Sequence, residues 1–105
     1  MDTKKIVLTT AGSKEEAQQI ARKLVERRLA ACVSVIGPIE SMYRWKDGIE
    51  SAEEWMLLIK TTAAVFRNLN DAIRELHSYE LPECLQIPVE AGSADYLHWI
   101  EENVG

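Results

Sequence analysis

The sequence contains few of the residues that build disulfides and metal centres. Its 105 residues include 2 Cys, 2 His, 3 Pro and 1 Phe. Two cysteines do not make a disulfide framework, and in a reducing compartment Cys32 and Cys84 are expected to be thiols. With His77 and His98 as the only histidines, we expect no His-rich catalytic metal site within one chain.

Long apolar runs are also missing. No stretch approaches the roughly 20 residues that span a bilayer, and the apolar run near the N-terminus is limited to Ile6-Val7-Leu8. That run is too short for the core of a signal peptide. We therefore expect a cytoplasmic protein without a membrane partner.

Several motifs that carry chemistry are absent from the sequence. It has no Gly-rich phosphate loop and no G-x-S-x-G, C-x-x-C or H-E-x-x-H pattern. The net charge of −5 and the interspersed basic residues argue against nucleic-acid binding, which depends on basic patches. The loop at residues 10–13 has no Arg for an acylphosphatase-type phosphate cradle. We expect a non-enzymatic protein without an organic cofactor.

The length predicts a single domain spanning residues 1–105. Apolar periodicity and turn residues predict the element order β-α-β-β-α-β-α. The strands are predicted over 5–10, 32–36 resuming at 39–46, 49–61 and 85–89, and the helices over 13–29, 62–78 and 93–102. The first six elements match the ferredoxin-like arrangement, an α+β fold in which two helices cover one face of a four-stranded antiparallel sheet. The last helix is an addition to that fold.

Residues 39–61 predict a long β-hairpin. Asp47-Gly48 is typical of a two-residue turn, and that turn would place Tyr43 opposite Ala52 and Trp45 opposite Glu50. Tyr43 and Trp45 would then lie on one face of the hairpin, and Trp55 on the other. Two helices can cover only one face, so we expect Tyr43, Trp45 and Trp55 to form an interface between subunits. The alternative is that these aromatic side chains fold back onto their own sheet.

A polar cluster follows the second predicted helix. It contains His77, Tyr79, Glu80, Glu83 and Cys84, and imidazole and thiolate ligands suit copper and zinc. A structural alternative is that His77 caps the helix while Tyr79 packs and forms hydrogen bonds. Lys60, at the end of the long strand, could contact an anion.

Five segments resemble the CutA divalent-cation tolerance family. They are, in chain order, Leu29-Ala30-Ala31-Cys32-Val33, Ser41-Met42-Tyr43-Arg44-Trp45, Leu58-Ile59-Lys60-Thr61, residues 77–83 and Tyr96-Leu97-His98-Trp99-Ile100. The resemblance implies a ferredoxin-like subunit in a homotrimer whose hairpins form sheets between subunits. It also implies a role in tolerance of divalent metal ions, copper especially, and an architecture similar to the PII signalling proteins.

The resemblance also suggests where ligands would bind. Family proposals place a copper site on a first-strand cysteine and a histidine pair. Here the first strand has no cysteine and Leu76 replaces the first histidine. His77 and Cys32 are therefore the candidate ligands for copper or another divalent ion. The alternative is a PII-like sensor or adaptor, in which Lys60, Tyr79 and Glu83 bind a small anion or a partner protein in clefts between subunits.

Overall fold

The computed structural model describes residues 3–105 and contains a four-stranded antiparallel sheet with three helices. The sheet order is β2-β3-β1-β4, as the ferredoxin-like fold requires. The predicted α+β fold with an additional C-terminal helix is confirmed. The strands are β1 (Lys4–Ala11), β2 (Cys32–Trp45), β3 (Gly48–Thr62) and β4 (Leu85–Pro88), and the helices are α1 (Lys14–Glu26), α2 (Phe66–Leu76) and α3 (Ala94–Glu102).

The helix starts follow the predicted capping residues. The Ser13 hydroxyl accepts a hydrogen bond from the Glu16 amide at 3.1 Å, and the Ser93 hydroxyl accepts one from the Tyr96 amide at 3.4 Å. The Glu16 side chain does not close the capping box, because it accepts hydrogen bonds from the Ser78 amide and hydroxyl instead. It thereby ties the start of α1 to the segment that follows α2.

Two helices are shorter than the periodicity predicts. α1 ends at Glu26 because Arg28 adopts a left-handed φ of 58°, and the Leu29 and Arg28 amides bond back to Leu24 and Val25 in a Schellman pattern. α2 starts at Phe66, since Thr62 still belongs to β3 and a 3₁₀ turn over Ala63–Val65 lies between them.

The core lies between α1, α2 and one face of the sheet. Alternation along the strands directs residues such as Val7, Leu57 and Ile59 toward these helices. The side chains that are fully buried there also include Ile20, Leu24, Leu69 and Ile73. The third helix contacts β1 and β3. Within residues 3–105 no helix is long and apolar enough to cross a bilayer.

The hairpin register differs from the prediction. The two-residue turn is Lys46-Asp47, so that Trp45 lies opposite Gly48 and Tyr43 opposite Glu50. The buried ends of β2 and β3 fix the register through Val33–Ile59, and one irregularity between Ile36 and Ile39 carries it to the tip. Because the shift is two residues along β3, the predicted faces of the hairpin are unchanged.

Candidate functional site

A pocket of about 590 Å³ lies at the base of the hairpin. Its walls come from β1, β2, β3 and the segment between α2 and β4. Three carboxylates face apolar and aromatic groups across it; its lining residues are Thr10, Ser41, Met42, Tyr43, Trp45, Glu54, Tyr79, Glu80, Leu81 and Glu83. We call it the acidic pocket.

Glu54 is the most buried carboxylate of the acidic pocket, with 7% of its surface exposed. Its Oε2 accepts hydrogen bonds from the Tyr79 hydroxyl at 2.8 Å and from the Thr10 hydroxyl at 3.3 Å. Within residues 3–105, no hydrogen-bond donor reaches Oε1 and no Lys, Arg or His lies within 4.0 Å of the carboxylate. Among the described residues, this carboxylate therefore has neutral hydrogen-bond donors and no cationic partner.

The electrostatics of the acidic pocket follow from burial and from Glu54. Burial, the hydrogen bond to Glu54 and the charge of Glu54 raise the pKa of the Tyr79 phenol well above its usual value. Burial and the charge of Glu54 also raise the pKa of Glu83. Tyr79 therefore stays protonated at neutral pH and donates to Glu54, and the pocket concentrates negative potential.

His77 lies beside the acidic pocket with both ring nitrogens engaged. Its Nε2 donates to the Thr10 carbonyl oxygen at 2.5 Å, since a carbonyl only accepts, and its Nδ1 accepts from the Tyr79 amide at 3.0 Å. The side chain is fully buried. His77 terminates α2 as its C-cap. In this position the imidazole has no free lone pair for a metal, so coordination would require the ring to move.

Cys32 and Lys60 form a separate cluster on the sheet. The Lys60 ammonium donates to the Ser34 hydroxyl at 2.7 Å and lies 3.7 Å from the Cys32 sulfur. Cys32 is paired with Lys60, and Lys60 is paired with Ile6 of β1. The residue contacted by His77, Thr10, is four residues further along β1, or about 13 Å away. The structure does not bring Cys32 and His77 together within one chain.

The expected ligand-binding residues are also divided. Tyr79 and Glu83 line the acidic pocket, but Lys60 does not. Lys60 and Glu54 are six residues apart on β3, which corresponds to about 20 Å along the strand. One chain therefore does not bring Lys60 together with Tyr79 and Glu83, and the expected cleft between subunits stays a prediction. The Cys84 thiol has its pKa raised by burial and by nearby Glu83, which favours its protonated, unreactive form.

The predicted interface residues fall into two environments. Tyr43 and Trp45 are 44% and 46% exposed, and Met42 and Ile49 near them are 69% and 68% exposed. Trp55 is half-buried against the core, and its indole lies over Gly37 so closely that a Cβ there would be 2.2 Å from Trp55 Cδ1. Trp55 thus packs on its own sheet, whereas Tyr43 and Trp45 remain open.

Glu54 was missed by the sequence reasoning. It ends the polar run Glu50-Ser51-Ala52-Glu53-Glu54, which has the composition of an exposed hairpin arm. The alternation of side chains along the strands could have indicated its position. Tyr43 and Trp45 lie on the same face as Ile39, and the residue paired with Ile39 on that face is Glu54. Its hydrogen bond to Tyr79 joins residues 25 positions apart, and nothing in the sequence spacing indicates that contact.

The fold and the acidic pocket define a ferredoxin-like α+β protein with an extended hairpin. Comparison with known proteins then gives the family: the chain belongs to the CutA1 divalent ion tolerance protein family, which matches residues 5–103. The divalent-cation tolerance protein CutA of Thermus thermophilus is 42% identical over 100 residues, covering 95% of this chain and 97% of that protein.

Solved structures agree with this fold. The crystal structure of CutA1 from Oryza sativa superposes with a TM-score of 0.96 at 29% identity, covering 98% of this chain and 94% of that one. The structure of the periplasmic divalent cation tolerance protein CutA from Archaeoglobus fulgidus superposes with a TM-score of 0.94 at 39% identity, covering 97% of this chain and 99% of that one. The fold expected from the resemblance is confirmed.

The family name suggests a metal, and the residues of one chain can be tested against that suggestion. Within residues 3–105 no group of three or more His, Cys, Asp or Glu side chains is arranged to hold a metal ion. His77 lacks a free nitrogen, and Cys32 lies at another part of the sheet. A tight copper site built from His77 and Cys32 does not fit a single chain in this arrangement.

Proposed function

We propose that this chain acts in divalent-cation tolerance as a non-enzymatic homotrimer that works by binding. The family assignment supports the tolerance role. The hairpin is the observation that supports assembly. The molecule measures 45 × 25 × 23 Å, and the hairpin bears four large apolar side chains that are 44–69% exposed. An apolar surface of this kind is typical of an interface.

The free sheet edges support assembly through the hairpin and β4. Each edge strand, β2 and β4, has one neighbour in the sheet, and every residue of β4 is exposed. Leu85 and Ile87 on β4 are 57% and 42% exposed, and Leu81 just before it is 76% exposed. An open edge beside apolar side chains invites pairing with another chain. We infer that the hairpin of one subunit meets the β4 region of the next.

The positions of His77 and Cys32 determine what kind of metal site this protein can form. Since His77 and Cys32 do not meet in one chain, we expect a tight site for copper or another divalent ion to need residues from more than one subunit. Titration of the assembled protein with Cu(II), beside a His77→Ala variant, tests this. Binding at one ion per chain that the variant abolishes would show instead that His77 leaves its cap position and acts as a ligand.

The cellular role is tested by growth. In a bacterial strain without its own CutA-family gene, expression of this chain should restore growth at raised Cu(II) or Zn(II) concentrations. A variant with both Tyr43 and Trp45 replaced by Ser should fail if assembly is required. Equal growth with and without the wild-type chain would contradict the tolerance role. We expect the protein in the cytoplasm, and fractionation of the same cells checks that expectation.

A second candidate function is a PII-like sensor or adaptor. The observation that favours it is the acidic pocket, which has a volume within the range of small-molecule sites. Tyr79 and Glu83 belong to that pocket. A thermal-shift screen with small metabolites of either charge is the direct test, and a shift that depends on Glu83 would support this second candidate.

A further inference from the structure

Glu54 is a buried carboxylate whose charge the described residues 3–105 do not compensate. Burying a carboxylate costs free energy unless an opposite charge or several hydrogen bonds compensate it. Glu54 is more than nine-tenths buried and receives hydrogen bonds on Oε2 alone. Within the same residues it has no ion-pair partner. Its Oε1 is therefore able to accept a donor from another chain.

Lys60 has the opposite deficiency. Its ammonium carries three donors, of which one reaches the Ser34 hydroxyl at 2.7 Å, while the Cys32 sulfur at 3.7 Å is a weak acceptor. No carboxylate lies within 4.0 Å of this ammonium among the described residues. The side chain is half-buried, so water covers only part of the charge. Glu54 and Lys60 thus both lack a charged partner within residues 3–105.

Glu54 and Lys60 lie on the same face of the sheet. Side chains alternate along β3, and Leu57 and Ile59 are fully buried toward α1 and α2. Residues 54 and 60 therefore point to the second face, the one turned away from these two helices. A face that carries many apolar side chains open to water is typical of a contact between subunits. The half-buried or exposed apolar side chains of the second face are Ile6, Leu8, Ile36, Met56 and Leu58.

The proposed assembly brings the two charges to the same level along the strands. Lys60 pairs with Ile6, and Ile6 pairs with Ile87, so Lys60 lies at the level of β4 in its own subunit. When β4 of one subunit meets the hairpin of the next, Lys60 of the first subunit reaches the level of the hairpin, at whose base Glu54 lies. In a ring of three subunits each contact joins two different patches of the chain. Two charges that are about 20 Å apart in one chain can therefore meet across a subunit boundary.

We propose that Lys60 of the partner subunit enters the acidic pocket and forms an ion pair with Glu54. The ammonium would donate to Glu54 Oε1, while Tyr79 and Thr10 keep their hydrogen bonds to Oε2. The site is complete only in the assembly, because one chain supplies the carboxylate and another supplies the cation. The pair also selects which surfaces meet, since a charge that is buried without its partner is costly. The proposal rests on the proposed homotrimer.

The test is a double-mutant cycle on the assembled protein. Glu54→Gln removes the charge but keeps an acceptor for Tyr79, and Lys60→Met removes the ammonium but keeps the length of the side chain. Each single variant leaves the other charge unpaired, so we expect each to weaken trimer association by about tenfold or more. The double variant should weaken association by much less than the product of the two single effects. Light scattering over a dilution series in moderate urea measures the association.

The control cycle combines Lys60→Met with Glu53→Gln. Glu53→Gln removes the same charge from an exposed neighbour on the other face of β3, so the two effects should simply multiply. A second measurement needs no variant, because a carbodiimide joins amines to carboxylates that are in contact. Mass spectrometry of the treated trimer should find Lys60 joined to Glu54. Since these residues lie about 20 Å apart in one chain, that product can form only between chains.

Two results would overturn the proposal while the wild-type trimer stays intact. One is a double variant of Glu54→Gln and Lys60→Met whose effect equals the product of the two single effects. The other is a treated wild-type trimer in which Lys60 is not joined to Glu54, and this result decides alone if a variant does not fold. Either of them removes this inference and leaves the homotrimer in place, whereas a wild-type monomer removes the proposed function.

Discussion

The Tyr79 hydroxyl donates to the Glu54 carboxylate at 2.8 Å and so joins the segment after α2 to the long hairpin. These residues are 25 positions apart in the sequence. The same tyrosine donates its backbone amide to His77 Nδ1, whose ring in turn is bonded to β1. This chain of contacts fixes one wall of the acidic pocket.

Removing the Tyr79 hydroxyl should destabilise the fold. Tyr79→Phe leaves the buried Glu54 carboxylate with the Thr10 hydroxyl as its one donor among residues 3–105, and we expect a loss of about 1–3 kcal/mol in the free energy of unfolding. Urea denaturation measures it. The control is Tyr43→Phe. The Tyr43 hydroxyl makes no hydrogen bond within residues 3–105, and 44% of the surface of this residue is exposed. Equal losses in the two variants would contradict the role given to the Tyr79–Glu54 bond.

Gly37 should tolerate no side chain. A Cβ at this position would lie 2.2 Å from Trp55 Cδ1, so Gly37→Ala forces the indole from its place on the sheet. We expect a loss of about 1–3 kcal/mol, as in other overpacked sites. Gly48→Ala is the control, since nothing lies within 4 Å of its added Cβ. In a Trp55→Leu background the Gly37→Ala loss should shrink, and an unchanged loss would show that the indole is not the cause.

The sequence predicted the fold well because local signals and the fold agree. Ser13 and Ser93 marked the helix starts, and Gly37-Pro38 marked the irregularity in β2. The predicted position of the hairpin turn was wrong. Asp47-Gly48 is a strong local turn signal, but the register is set about ten residues away by buried pairs such as Val33–Ile59. The packing of the core, and not the local turn preference, therefore determines where the hairpin turns.

The site was harder to predict than the fold. His77 was considered as a helix cap and as a ligand; it occupies the C-cap position of α2, and its role as a ligand stays a prediction. Glu54 was missed because its partners Tyr79 and Thr10 lie far from it in the sequence, and sequence spacing does not reveal these contacts. Contacts between side chains on different elements depend on the tertiary structure, whereas the helix caps at Ser13 and Ser93 could be predicted from their sequence neighbours.

At position 28, a glycine variant should be more stable than an alanine variant. Its φ of 58° suits glycine, while its guanidinium donates to the carbonyl oxygens of Glu102 and Gly105 at 2.7 Å each. Both variants lose these hydrogen bonds, but Arg28→Gly avoids the left-handed strain. We expect Arg28→Gly to be more stable than Arg28→Ala by about 1 kcal/mol in thermal unfolding. The reverse order would contradict the Schellman geometry.

Glu16 should stabilise the fold in a pH-dependent manner. Partial burial alone would raise its pKa, but the hydrogen bonds from the Ser78 amide and hydroxyl, with nearby His77, outweigh burial and lower the pKa below the usual 4.5. A carboxyl with a lowered folded pKa stabilises the fold above its unfolded pKa, and this contribution is lost as pH falls through the folded value.

The comparison is therefore between Glu16→Gln and wild type at several pH values. Wild type should be the more stable at pH 7, and the difference should shrink as pH falls below 4.5. Glu15→Gln is the matched control, because Glu15 is the exposed neighbour in the same first turn of α1. If the two variants show the same pH profile, the helix dipole rather than Ser78 accounts for the effect.

Assembly through the hairpin is the central claim, and light scattering after size-exclusion chromatography tests it most directly. The chain mass is 11.9 kDa, and we expect wild type to elute as one species of about three times that mass at micromolar concentration. Replacing both Tyr43 and Trp45 by Ser should yield smaller species, whereas Glu53→Gln should not. A well-folded wild-type monomer at the same concentration would contradict the claim.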